Sequence, residues 1–187
     1  MAVGAYPGSF DPPTVAHLAI AEAAVRACGL ERVDLVLSAS ALGKEGRHHV
    51  EVDDRAEVLE AVAATRPWLG VVVTRARLLV DIAAGYDVVV MGADKWAQVV
   101  DPAWYGSAEA RDEAVARLPT VAVAPRPGWT VPAGVVGLDL DDGHAQVSST
   151  AVRAGSRHLM VPEALALAEA TGAWVDPPRY ARRRGFR

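Results

Sequence analysis

Val3-Gly4-Ala5-Tyr6-Pro7-Gly8-Ser9-Phe10-Asp11-Pro12-Pro13-Thr14-Val15-Ala16-His17 opens the chain with a strand, a stiff turn and a helix start. Val3 to Tyr6 is a short apolar run ending at Pro7-Gly8, the pattern of a buried strand. From Val15 onward Leu18, Ala21, Ala24, Val25 and Cys28 keep helical spacing, and Gly29 suits the C-cap. Between strand and helix, Gly8 permits a tight turn and close approach of a ligand, while Pro12 and Pro13 stiffen the connection. This is the first half of a βαβ unit.

Working outward, the same alternation repeats. Apolar runs at Val33 to Leu37, Val71 to Thr74, Asp87 to Met91 and Val121 to Ala124 read as four further strands. Helical stretches are predicted from Asp53 or Asp54 to Thr65, Leu78 to Ala84, Ser107 to Leu118, Ser149 or Thr150 to Ser156, and Pro162 to Thr171. Residues 39–52 read as a loop, and Val135 to Leu138 offers one more short strand. Apolar strands alternating with helices predict a single α/β domain with a mainly parallel, doubly wound, five-stranded sheet and a helical C-terminal end. The domain is expected over residues 1–176, with 177–187 a basic, arginine-rich and loose tail. Ligands bind such sheets at the carboxyl ends of the strands. Gly8 to His17, Lys44 and Gly92 to Asp94 all follow strands.

Composition narrows the class. The 187 residues are 51% hydrophobic and 22% charged, a globular balance. Net charge is −4, which argues against general nucleic-acid binding. The last nine residues contribute Arg179, Arg182, Arg183, Arg184 and Arg187; the rest carries 14 basic and 23 acidic groups, a net of −9. A lone Cys28 excludes an intrachain disulfide and a cysteine-cluster zinc site. With no signal peptide and no long apolar run, a soluble cytoplasmic protein without membrane contact is expected.

Three segments carry chemistry. Thr14 and His17 lie three apart across a helix start, so both can face one side of the first turn, where amides and the helix dipole favour an anion. Ser9 lies nearby, and together they form a candidate triphosphate cradle. A proline-rich turn capped by Thr14 is the plainer reading. The second segment, Val147-Ser148-Ser149-Thr150-Ala151-Val152-Arg153, lies far down the chain. It sets hydroxyls at a helix entry and an arginine one turn on, whose fork of donors suits phosphate oxygens. A hydroxyl-capped helix with a solvated arginine is the plainer reading of this segment by itself. In the third, Gly92-Ala93-Asp94-Lys95-Trp96, a glycine at a strand end permits close approach, and Asp94 can cap the next helix or accept from a ribose hydroxyl.

Taken together, these segments resemble the H-x-G-H nucleotidylyltransferase superfamily. Its pattern G-[ST]-F-x-P-x-[HT]-x-G-H is met by Gly8, Ser9, Phe10, Pro12, Thr14 and His17, with Ala16 in place of the usual glycine. Its second signature, I-S-S-T-x-[IV]-R, is met by Ser148, Ser149, Thr150, Val152 and Arg153, with Val147 for isoleucine. Gly92-Ala93-Asp94, Trp96, Trp104 and Val123-Ala124-Pro125-Arg126-Pro127-Gly128-Trp129 resemble the nicotinate/nicotinamide mononucleotide adenylyltransferases most. Two departures stand out: only Lys44 remains of a Pro-His-Lys, and Thr74-Arg75-Ala76-Arg77-Leu78-Leu79-Val80 replaces a Ser-Tyr-Thr segment. That stretch is closer in layout to the phosphopantetheine adenylyltransferases.

The resemblance implies a Rossmann-like fold and adenylyl transfer from ATP to a phosphorylated small-molecule acceptor, with pyrophosphate leaving. It implies catalytic roles for His17, Lys44 and Arg153. Nucleotide binding falls to Gly8, Ser9, Phe10, Thr14, His17, Gly92, Asp94, Ser148, Ser149, Thr150 and Arg153, and acceptor binding to Lys44, Trp104 and Arg126. Mg²⁺ would arrive on ATP, with no metal ligands from protein side chains. The leading product is the dinucleotide precursor of NAD. Phosphopantetheine adenylyl transfer, cytidylyl transfer and a nucleotide-binding protein without turnover are the alternatives, and a homo-oligomer is compatible with each. Asp11 is expected to cap the turn rather than orient His17. His48 and His49 are expected in a solvated loop.

Overall fold

The computed structural model describes residues 1–39 and 49–185. Six parallel strands form one open sheet: β1 (Val3–Gly8), β2 (Arg32–Ser38), β3 (Leu69–Thr74), β4 (Val88–Gly92), β5 (Thr120–Ala124) and β6 (Val136–Gly137). Their order is β3-β2-β1-β4-β5-β6, so the chain winds outward from β1 first one way and then the other. This is the doubly wound, Rossmann-like arrangement expected. A sixth strand joins the expected five because the Val135 to Leu138 run supplies two residues that pair with Ala122 and Val123.

Strands covered on both faces must be apolar along their whole length. β4 is buried at every position and β2 at all but Arg32. Side chains alternate between two cores. On one face Tyr6, Leu35, Leu37, Val90 and Ala124 pack with α1 (Val15–Cys28), α2 (Val52–Ala64) and, further along the chain, the helix at Pro162–Thr171. On the other, Val89, Met91 and Val123 pack beneath α3 (Leu79–Ile82), α4 (Ala93–Val99) and α5 (Ala108–Ala116). Alanines Ala16, Ala21, Ala23 and Ala24 face inward from α1, and small side chains let that helix lie close to the sheet. Gly29, at φ 62°, closes it.

The C-terminal half of the chain adds α6 (Asp142–Ala145), α7 (Ser149–Arg153), α8 (Pro162–Thr171) and α9 (Pro177–Arg183). The loose tail expected from Pro177 is corrected here. Asp176 caps α9 by accepting from the Arg179 amide at 3.0 Å, and the two prolines occupy the first turn, where their missing amides cost nothing. Tyr180 is buried. Its hydroxyl donates to Asp54 and accepts from the Glu51 amide at 3.1 Å, while Arg184 pairs with Asp54 at 3.5 Å. The C-terminal helix therefore docks on the start of α2.

Among the described residues no helix is long and apolar enough to cross a membrane.

Candidate active site

β1 and β4 are neighbours from which the chain departs in opposite directions, so their carboxyl ends flank the topological switch point. Gly8 ends one and Gly92 the other.

The loop after β1 is held through its carbonyls by remote parts of the chain. Ser9 O accepts from Arg55 Nη1 at 2.6 Å. Asp11 O accepts from the Arg153 guanidinium, Pro12 O from Ser149 Oγ at 2.7 Å, and Pro13 O from the Val161 amide at 3.3 Å. Turning the Ser9 carbonyl toward Arg55 turns the Phe10 amide of the same planar peptide the opposite way.

Thr14 caps α1 and is fully buried. The Nδ1 of His17 accepts the Thr14 amide at 2.9 Å and lies 2.8 Å from Thr14 Oγ1. An amide can only donate, so in this arrangement Nδ1 is the acceptor and Nε2 carries the ring proton. His17 is half-buried, and its ring sits 5.1 Å from that of Phe10 and 6.1 Å from that of Tyr6. Phe10 is buried, so its ring supports His17 from below and its main chain is the part that faces the loop. Gly8 has a different reason from the one its position suggests. A Cβ there would come within 2.8 Å of the Phe10 ring, so its missing side chain makes room for Phe10. Ala16 likewise points its methyl into the core, on the scaffold side of the helix.

The second segment starts α7, capped by Ser148, whose Oγ accepts from the Ala151 amide at 3.1 Å. Ser149 donates its hydroxyl to Pro12 and is bound to the first loop. Thr150 is exposed and its Oγ1 accepts from Arg153 Nη2 at 3.2 Å. Ser149 and Pro12 are 137 positions apart in sequence, and the fold brings both signatures into direct contact.

At the end of β4, Gly92 is boxed in by Asp94 and Arg126. A Cβ on it would meet Asp94 Oδ1 at 2.5 Å and Arg126 Nε at 3.1 Å. Arg126 donates to Val147 O at 3.0 Å and stands 3.9 Å from Asp94. It thereby ties the end of β5 to the entry of α7. Burial pushes the Tyr6 hydroxyl above the usual phenol range, with Arg126 opposing and Asp94 adding to the shift. Trp104 ends a 3₁₀ turn (Pro102–Trp104) and is half-exposed. Lys44 and His48 lie outside the described residues. His49 donates its main-chain amide to Asp11 Oδ2 at 3.0 Å.

Sequence reasoning missed two residues. Asp11 does not cap the turn: it is buried, and its Oδ1 accepts from the Trp174 indole at 2.6 Å. Arg55 is 1% exposed and bridges Ser9 O and Val50 O. Burial lowers its pKa, while the charge of Asp11 works the other way. A signal was present: Arg55, Val58, Leu59 and Val62 fall on one helical face, and an arginine on an apolar stripe needs buried acceptors.

The donors gathered here are one imidazole, a guanidinium and hydroxyls beside a helix start. Such a set suits binding phosphate oxygens and stabilising charge on them.

Comparison with known proteins agrees. The structure of Plasmodium falciparum nicotinic acid mononucleotide adenylyltransferase complexed with NaAD superposes with a TM-score of 0.69 at 11% identity, covering 92% of this chain and 96% of that one. The same enzyme complexed with APC gives a TM-score of 0.68 at 11% identity, with the same coverage. A search of curated proteins found no match. The cytidylyltransferase-like family model matches residues 5–155, most of the chain and both signatures. The chain belongs to the cytidylyltransferase-like family and is a nucleotidyltransferase.

Proposed function

We propose that the protein transfers an adenylyl group from ATP to nicotinate or nicotinamide mononucleotide, releasing pyrophosphate and forming the dinucleotide precursor of NAD. The observation that carries this reading is the contact between the two signatures, Ser149 Oγ on Pro12 O and Arg153 on Asp11 O. It joins the second signature to the loop that leads into Thr14 and His17, which is the arrangement this reading requires.

The acceptor phosphate attacks the α-phosphorus in line, and the bond to the bridging oxygen of pyrophosphate breaks. That nucleophile is already ionised at neutral pH, so no general base is needed, and rate comes from alignment and charge stabilisation. His17 Nε2–H donates to a phosphate oxygen of the transferring group. Arg153 spends part of its fork on Asp11 and Thr150 and keeps other N–H groups for the β- and γ-phosphates. Asp94, exposed at the start of α4, faces the ribose hydroxyls beside Gly92. Lys44, which follows β2 in the sequence, adds positive charge against the developing phosphate charge, and Trp104 stacks on the acceptor ring. Hydroxyl, imidazole and guanidinium donors fit phosphate oxygens better than a hard cation, so Mg²⁺ would be carried by the nucleotide and would supply neutralising charge on its phosphates.

A second reading, cytidylyl transfer, is favoured by the family description itself. Pyrophosphate release, measured with ATP and with CTP against a panel of phosphorylated acceptors, separates them. Turnover is expected with ATP and a pyridine mononucleotide. Turnover with CTP alone, or with ATP and 4′-phosphopantetheine alone, overturns the leading reading, and no turnover with any pair leaves a binding protein.

A further inference from the structure

The family model ends at residue 155, yet a buried side-chain contact to the first loop comes from beyond it. Trp174 lies in the turn between α8 and α9, is 4% exposed, and donates its indole N–H to Asp11 Oδ1 at 2.6 Å across 163 positions of sequence. The other oxygen of that carboxylate takes the His49 amide, and the Asp11 carbonyl takes Arg153. One residue of the loop therefore joins the C-terminal segment, the chain entering α2 and the second signature.

Backbone conformation marks the same contact from both sides. Among the described residues, two that are not glycine have positive φ: Phe10 at 44° and Trp174 at 62°. Side chains disfavour that region, and it persists only where surrounding contacts hold it. Phe10 precedes Asp11, and Trp174 is its donor. Both unfavourable conformations thus flank a single hydrogen bond, beneath the loop whose carbonyls meet Arg55, Arg153 and Ser149.

We infer that Trp174 is a positioning residue of the nucleotide site: its indole N–H holds the Asp11 carboxylate, and through it the Phe10–Asp11 backbone and Arg153, in the geometry that receives the transferring phosphate. The inference rests on the nucleotidyl-transfer reading. Trp174 touches no reacting atom. Its effect falls on alignment, and small misplacements of an aligned site lower turnover more than they lower affinity.

The test is steady-state kinetics of pyrophosphate release, with ATP and the acceptor that supports wild-type turnover, well below each variant's unfolding midpoint. Trp174→Phe keeps a ring and removes the N–H. We expect kcat to fall by about tenfold or more while KM for ATP stays within about threefold. Leu30→Ala is the control for stability alone. Leu30 is buried at the amino end of the sheet, away from the site, and its kcat should stay within about twofold. Asp11→Asn keeps an oxygen but sets an amide against one of two donors, and should reproduce the loss. In the double variant Asp11→Asn/Trp174→Phe the losses should not multiply.

Equal kcat in Trp174→Phe and wild type overturns the inference, as does a multiplicative double variant. Should Trp174→Phe not fold, Asp11→Asn alone decides, and an unchanged kcat there overturns it too. Absence of wild-type turnover with every acceptor is a distinct result: it removes the function reading and this inference with it.

Discussion

His17 shows how a common residue acquires one task. Its Nδ1 is committed to the start of its own helix, its ring is wedged against Phe10 and Tyr6, and the ring proton is thereby assigned to Nε2. His17→Ala should lower turnover by about 100-fold, the scale of losing one aligned donor to transition-state charge. Circular dichroism should stay native, since Thr14 O still accepts the amide of residue 17, at a cost of about 1–3 kcal/mol for the Thr14 amide that loses the imidazole. Near-normal turnover would refute the assignment. Gly8→Ala tests the packing side of the same loop. A methyl 2.8 Å from the Phe10 ring must displace it, and the expected cost is about 1–3 kcal/mol in urea unfolding. If Gly8 served only ligand approach, stability would not change.

At the scale of elements, α9 closes the structure over α2. Tyr180 bonds Asp54 and Glu51, and its hydroxyl titrates at about 12, raised by burial first and then by the bond to Asp54. Tyr86 is likewise pushed up to about 12, by burial and by the charge of Asp34, to which it donates at 3.1 Å. Unfolded tyrosine titrates near pH 10. A folded pKa above that value means the neutral phenol is favoured in the native state. The stabilisation is complete below about pH 10 and is lost as pH climbs toward about 12. Thermal midpoints measured from pH 9 to 12 should therefore fall across that window, and less steeply in Tyr180→Phe. Ending the chain at Asp176 removes Tyr180 and Arg184 together. Hydrogen exchange should then quicken first in the opening turn of α2, before the sheet is affected.

Over the whole molecule, the proposed nucleotide site is built from pieces far apart in sequence: the β1 loop, the end of β4 and α7. A ligand spanning them binds the native state alone. ATP at about 100 times its Kd should stabilise the fold by about 2.7 kcal/mol, a rise of roughly 5–10 °C in the calorimetric midpoint for a chain of this size. Stabilisation by ATP that is undiminished in Arg153→Ala would argue against α7 as part of the site. The charge balance gains a location as well. A basic end was visible in composition, and the structure places part of it: Arg184 pairs with Asp54, and Arg179 donates to the carbonyls of Glu169 and Ala170. Arginines that looked like a detached tail help seal the C-terminal helices.

The fold class and the two ends of the site are legible in local sequence, because apolar runs, helix spacing, caps and short motifs are written within a few residues of one another. Val3 to Tyr6, the α1 spacing and Pro162 to Thr171 each carry their own signal. Burial and partnership are not local. That Ser149 binds Pro12, that Arg55 lies under Ser9 and that Trp174 donates to Asp11 depend on where crossovers and helices deliver side chains more than a hundred positions apart, or onto a face whose neighbours no short window contains. The sequence alone determined a doubly wound α/β chain bearing the two signatures of its family. Only the tertiary structure decided that Asp11 faces inward and that the C-terminal segment reaches the site. A buried carboxylate must find donors, and the packed chain alone could supply them.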